Sequence, residues 1–284
     1  MGDRMASIRK HRGSIVDVIC VALVGLAVGF DNLFGVPYKR GFFCDDDTIR
    51  YPRQSETVPT ALLAVVGYSV PAILVGVVET LRLFDKTTPR DSYRTVSSRI
   101  LRSCYRILGV FLFGTGLNQL CVDTSKYVVG RLRPHFIDVC VPTVDCNTIA
   151  GNTYVTQYEC TGDPAVVEEA RLSFPSGHAA LAFYVAIYLS IFLQHRMVWQ
   201  GTILFRHLLQ GILILLAWYT ALTRVRDNMH HPTDVLAGSV IGTLWAFFMA
   251  CFVIDMRLEN ENDQEELRVL RQTQIQNQHG PNYV

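Results

Sequence analysis

The chain has 284 residues, of which 50% are hydrophobic and 18% charged, with a formal net charge of +1 and a mean hydropathy of +0.23. So apolar a chain of this length excludes an ordinary soluble domain and points to a polytopic membrane protein. The near-zero net charge, with no basic arm and no nucleic-acid-binding module, excludes a polyanionic partner such as nucleic acid.

Six apolar runs approach the roughly 20 residues that a spanning helix needs. In chain order they cover residues 14–30, 61–81, 100–121, 178–193, 208–222 and 235–254. Arg9, Lys10 and Arg12 ahead of the first run resemble the start of a signal peptide. No small-x-small cleavage site follows, so the run is read as a retained first span. The expected class is an all-α integral membrane protein of six helices. Residues 1–13 form an N-terminal segment, 14–256 the membrane domain, and 257–284 a polar, Gln/Asn-rich flexible tail.

The Lys/Arg bias sets the orientation. Arg4, Arg9, Lys10 and Arg12 before the first span, Arg82 to Arg102 between the second and third, and Arg196 and Arg206 between the fourth and fifth fall on one side. That side is expected to be cytoplasmic and to hold both termini. Cys44, Cys140, Cys146 and Cys160 then face the exterior or a lumen, where disulfides form. Their pairing stays open.

Three segments fall on that outer face. The first is "KYVVGRLRPHF", where Lys126, Arg131 and Arg133 make a cationic group in an otherwise acidic loop. Arginine forks match phosphate bidentately, although a snorkelling edge at the headgroups would have the same composition. The second is "PSGH", Pro175 to His178, opening the fourth span. Free N–H groups at a helix start, the Ser176 hydroxyl and an exposed Gly177 backbone suit an anion, with His178 beside it; a plain capped helix start would read the same. The third is "TRVRDNMHHPTDV", in which Arg224 adds a cation and Pro232 opens the sixth helix. There Asp234 is expected to accept the Nδ1 proton of His230 and leave Nε2 as a free nucleophile, with His231 as the helix cap. Each segment alone has a structural explanation. Cations, an N–H-rich helix start and two histidines converging at one membrane face favour phosphoryl transfer.

These three segments resemble the type 2 phosphatidic acid phosphatase superfamily and, within it, the lipid phosphate phosphatases. Its K-x6-R-P motif is matched by Lys126 with Arg133 and Pro134, its P-S-G-H by Pro175 to His178, and its S-R-x5-H-x3-D by Arg224, His230 and Asp234, with Thr223 in place of serine. The stretches "YKRGFFCDDDTIRYP" and "GRLRPHFIDVC" are also similar to the animal enzymes. The subfamily's usual glycosylation sequon is missing, since no N-x-[ST] occurs in the chain. The resemblance implies a six-helix bundle that removes phosphate from phosphatidate, lysophosphatidate, sphingosine 1-phosphate and ceramide 1-phosphate, with no metal and no cofactor. It implies that Lys126, Arg133, Ser176, Gly177 and Arg224 hold the phosphate. His230 would attack phosphorus, Asp234 would orient its ring, and His178 would protonate the leaving alkoxide and then activate water. A bell-shaped pH profile follows. The expected setting is the plasma membrane, with the endoplasmic reticulum or another endomembrane as the alternative.

Rival readings are a phosphatase of isoprenoid phosphates or pyrophosphates, and a non-catalytic scaffold or lipid-binding relative. The aspartates of "CDDDT" are too close in sequence to converge on one ion and are read as a turn. Asp17 and Glu79, inside spans, are expected to make buried polar contacts between helices. Gly238 and Gly242 are read as a close-packing pair rather than a dimer seam, which leaves a homo-oligomer open.

Overall fold

A computed structural model describes residues 2–85, 93–146, 148–150, 152–199, 201 and 203–254. The tail expected from residue 257 onward lies outside the described residues. Its elements are α1 (Gly2–Phe34), β1 (Phe42–Phe43), a 3-10 turn (Asp47–Ile49), α2 (Thr60–Asp85), α3 (Tyr93–Val129), α4 (Phe136–Cys140), β2 (Tyr154–Val155), α5 (Pro164–Glu169), α6 (Gly177–Arg196), α7 (Ile203–Arg226) and α8 (Pro232–Phe247), continued by a π-helical stretch, Phe248–Val253. Among the described residues six helices are long and apolar enough to cross a membrane. Exposed Leu26 and Phe30 on α1, Val65 and Ile73 on α2, and Leu215 and Trp218 on α7 form the apolar belt that lipid requires.

The helices outrun the sequence expectation at three places that matter. α3 continues to Val129, so Lys126 stands on its last turn and not in the following loop. α7 continues to Arg226 and carries Arg224 at its end. α1 is helical from Gly2 and absorbs most of the segment read as separate. Apolar-run counting stops at the first charged residues, whereas a helix continues through them at the membrane surface, where Lys and Arg heads reach water.

α6 is the central helix and packs against α2, α3, α7 and α8, while α1 lies against α3. Tyr184 and Tyr188 are fully buried on α6 and donate their hydroxyls to the carbonyls of Phe111 (2.8 Å) and Ile107 (2.7 Å) on α3. Buried hydroxyls need such partners, and these two lock α6 to α3. α8 approaches α6 still more closely. A Cβ on Gly238 would meet the Ser176 carbonyl, and one on Gly242 the Ala180 carbonyl. The small-residue pair is therefore a packing device, and it carries the start of α8 against the start of α6. Gly242→Val is expected to destabilise by at least about 2 kcal/mol, because backbone cannot give way as a side chain can. A thermal melt in detergent checks it.

Glu79 is fully buried and binds Ser103 (2.6 Å) and Arg82 (3.3 Å), with Arg196 at 3.8 Å. Arg196, taken from sequence as a loop residue, is the buried end of α6. Asp17 departs from expectation: it is exposed on α1 rather than held between helices, since α1 touches the bundle along one side only.

At one end of the bundle sits a small cap. β1 and β2 pair antiparallel, Phe42 opposite Val155 and Phe43 opposite Tyr154. Phe42, Ile49, Leu132, Phe136 and Val167 form its core. Arg171 lies over the rings of Phe136 (5.0 Å) and Tyr158 (5.5 Å). The pairing left open by the sequence is Cys44–Cys146 and Cys140–Cys160. The first bridge closes a span of 102 residues and ties the loop after α1 to the loop after α4. Within "CDDDT", the Asp46 carboxylate accepts from the Thr48 N–H (2.9 Å) and hydroxyl (2.6 Å), capping the 3-10 turn.

Candidate active site

Three helix ends meet under this cap. α3 delivers Lys126, α7 delivers Arg224, and α6 starts with Gly177 and His178. The turn between α7 and α8 adds His230, and the loop after α3 adds Arg133. Lys126, Arg133, Gly177, His178, Arg224 and His230 all line one cavity of about 440 Å³. Leu63, Ala64, Tyr68, Leu172 and Leu181 add apolar lining, and Glu56 and Glu169 add carboxylates. A second chamber of about 520 Å³ lies beside it, sharing Glu56, Arg133 and Glu169 and adding Arg53 and His135.

His230 is 3% exposed, and its Nδ1 lies 2.6 Å from the Ser173 carbonyl oxygen. A carbonyl only accepts, so Nδ1 carries the proton and Nε2 keeps its lone pair. Burial, and then the charges of Arg133 and Lys126, hold the His230 pKa well below its ordinary 6.5. The ring is therefore neutral and nucleophilic at neutral pH.

Here the structure corrects the sequence reading of Asp234. Its carboxylate does not reach the His230 ring. Oδ2 accepts from the Ser173 hydroxyl (2.6 Å) and the His231 N–H (3.1 Å), and Oδ1 from Arg131 (2.5 Å). Asp234 is fully buried. It fixes Ser173 by the side chain while the Ser173 main chain fixes His230. α8 opens at Pro232 as expected, but the Asp234 carboxylate is taken up by Ser173, His231 and Arg131, and the Ser173 carbonyl takes the His230 proton in its place. His231 takes the helix-capping position expected of it, but its ring turns away and reaches the Leu132 carbonyl (3.0 Å).

His178 Nε2 lies 3.2 Å from the Val58 carbonyl and 3.5 Å from Arg224 Nη1. The carbonyl requires a proton on Nε2, which is the proton a general acid would give up. Ser176 does not line the cavity. It caps α6 from behind, its Oγ 3.4 Å from the Ala179 N–H, and its own N–H donates to the Asp234 carbonyl (3.0 Å). Gly177 leaves the Lys126 Nζ open to the site: a Cβ there would sit 3.5 Å from that nitrogen.

Three carboxylates that the sequence did not single out face the cations. Arg133 pairs with Glu169 on α5 (3.0 Å), and Arg224 with Glu56 (3.3 Å) and Asp227 (3.2 Å). No sequence signal marks Glu56, Glu169 or Ser173, because each meets its partner across 36 to 168 positions, which no local spacing records. Arg131 stood within the basic cluster but serves Asp234 and Thr233, at 2.5 and 2.7 Å, rather than the cavity. Among the described residues no group of three or more His, Cys, Asp or Glu is arranged to hold a metal ion.

Comparison with known proteins places this geometry in a family. A model described as the PAP2 superfamily matches residues 107–257, which hold all three basic and histidine segments. Phospholipid phosphatase 2 of Rattus norvegicus is 39% identical over 241 residues, covering 85% of this chain and 86% of its own. The Homo sapiens protein of the same name is 38% identical over 242 residues, 85% of this chain and 82% of its own. Phospholipid phosphatase 1 of Rattus norvegicus is 36% identical over 256 residues, 88% of each. No solved structure matches the chain.

Proposed function

We propose, from the premise that this chain belongs to the PAP2 superfamily and within it to the phospholipid phosphatases, that it hydrolyses lipid phosphate monoesters through a phosphohistidine on His230. The substrate class is phosphatidate, lysophosphatidate, sphingosine 1-phosphate and ceramide 1-phosphate. One observation carries the reading: a neutral histidine with a free Nε2 lines a cavity that holds three cations, Lys126, Arg133 and Arg224, together with apolar side chains. Such a cavity suits a phosphate joined to a lipid.

Lys126, Arg133 and Arg224 hold the phosphate oxygens and neutralise the charge that spreads over them in the transition state. His230 Nε2 attacks phosphorus in line with the bond to the lipid oxygen. As that bond breaks, His178 gives its Nε2 proton to the leaving alkoxide, and the lipid alcohol departs. His178, now neutral, takes a proton from water, whose oxygen attacks phosphorus and breaks the N–P bond. Inorganic phosphate leaves, with His230 neutral and His178 protonated as at the start. Ser173 and Asp234 act behind the nucleophile as positioning residues. The reaction has no step for a metal ion, because the fixed cations meet the same electrostatic demand.

The proposed setting is the plasma membrane, with both termini in the cytoplasm and the site on the outer face. The positive-inside bias and the two disulfides of the cap support that orientation.

The test is phosphate release from phosphatidate in detergent micelles with excess EDTA. Full activity is expected; a strict requirement for added magnesium would sink the mechanism. The pH dependence of kcat/KM is a second check. Its acid limb reports protonation of His230 and, since that pKa is lowered, is expected below pH 6.5. The alkaline limb is sought in kcat, which reports the substrate complex: there the phosphate charge beside His178 favours its protonated form, and loss of that proton ends turnover. A rate that climbs steadily into alkali would contradict these roles.

A further inference from the structure

A strap of the first outer loop, residues 51–58, runs beside the cavity, with Glu56 in the cavity lining and Arg53 to Glu56 lining the second chamber. It is pinned at several points. The Tyr51 N–H donates to the Pro134 carbonyl (3.0 Å), and the Arg53 N–H donates to Asp138 (2.8 Å). Asn228 donates to the Pro52 carbonyl (3.0 Å), and Thr57 gives both its N–H (2.7 Å) and its hydroxyl (2.8 Å) to Asp227. Between these pins Glu56 turns its carboxylate to Arg224, Oε1 lying 3.3 Å from Nη1. The arginine is 1% exposed and the glutamate 29%.

A carboxylate and a phosphate ask the same thing of a guanidinium. Both are anions that accept from its N–H fork, so a phosphate arriving at Arg224 meets Glu56 as a rival acceptor and as a like charge. The glutamate has somewhere to go. Glu56 lines both chambers, and the second one has Arg53 in its wall, a counter-charge for an expelled carboxylate. The pins hold the backbone while the side chain turns.

We propose that Glu56 is a displaceable counter-anion that stands in for phosphate at Arg224 and sets how tightly the site holds free oxyanions. It yields to a phosphate that brings a lipid chain, whose apolar contacts add to binding, and it reclaims Arg224 when only inorganic phosphate is left. This rests on the reading of Arg224 as a phosphate ligand. Glu56 is thus a specificity and product-release residue and takes no part in bond making.

The experiment uses the full chain in detergent micelles and measures inhibition of phosphatidate hydrolysis by added inorganic phosphate. Glu56→Gln keeps the size and an acceptor oxygen but removes the charge. Inorganic phosphate is expected to inhibit this variant on the order of tenfold more tightly. kcat should fall as phosphate departs more slowly, and the melting temperature should not change. Unchanged inhibition would overturn the proposal, and so would weaker inhibition with a lowered melting temperature, the mark of a residue that only pins the strap. Arg224→Ala separates the two readings: inorganic phosphate binding should be lost. If that variant were inhibited like wild type, the assignment of Arg224 to the phosphate site would fail. If inhibition is lost there and unchanged in Glu56→Gln, the counter-anion role alone fails.

Discussion

His230→Ala is expected to lower phosphate release by about 10⁴-fold or more, because removing a nucleophile removes the pathway and not merely a contact. Rapid quenching after mixing with a ³²P-labelled lysophosphatidate gives the sharper result. Wild type should carry a transient label that is labile in acid and stable in alkali, the behaviour of a phosphoramidate. His230→Ala should carry none. His178→Ala should accumulate label, since breakdown needs a base to activate water, provided the substrate has a good enough leaving group to enter the first step. Label retained in His230→Ala would point to another nucleophile in the cavity. The variant should fold, for the ring makes one hydrogen bond, to a main-chain carbonyl that water can satisfy once the imidazole is gone.

Asp234→Asn is the second large effect, and it acts from a distance. The carboxylate serves three donors at once: Arg131, the Ser173 hydroxyl and the His231 N–H. An amide presents one acceptor oxygen where the carboxylate had two, and turns an N–H₂ toward groups that themselves donate. We expect a loss of about 10²–10³-fold in kcat, the scale seen when a preorganised electrostatic contact is removed. KM should change little, because none of these groups touches the cavity. Ser173→Ala then separates two arrangements. If Asp234 acts through Ser173, as the geometry has it, deleting that hydroxyl should reproduce much of the Asn effect although the Ser173 carbonyl remains. A Ser173→Ala enzyme with wild-type kcat would instead mean that Asp234 reaches the His230 ring during turnover. The pH profile adds a readout that a folding defect would not move: loosening the Ser173 carbonyl from Nδ1 frees the ring to take the other tautomer, and the acid limb should shift.

What could be read without the fold was whatever a short stretch encodes. Six apolar runs mark six helices because a helix in lipid must satisfy its own backbone, and hydropathy along the chain registers that directly. Lys126 with Arg133, Gly177 with His178, and Arg224 with His230 were legible as cationic and histidine clusters because each pair lies within a few residues at one helix end, and all six line one cavity. The close-packing role of Gly238 and Gly242 was legible for a similar reason, since i,i+4 residues share a helix face. Helix ends were less legible: Lys126 was placed in a loop, because a cation at the membrane surface looks the same on a helix as after one.

The tertiary structure alone decided how those stretches serve one another. His230 and Asp234 are four residues apart, and spacing suggested a direct bond, but the carboxylate is taken up by other donors and a serine 57 residues from His230 takes the bond instead. Glu56 meets Arg224 across 168 positions and Glu169 meets Arg133 across 36. Cys44 finds Cys146 across 102. A sequence pattern records the periodicity of one element, whereas a contact between loops depends on how whole helices pack. That packing rests on buried hydroxyls at Tyr184 and Tyr188 and on two glycines set against carbonyls, features whose partners lie on other helices.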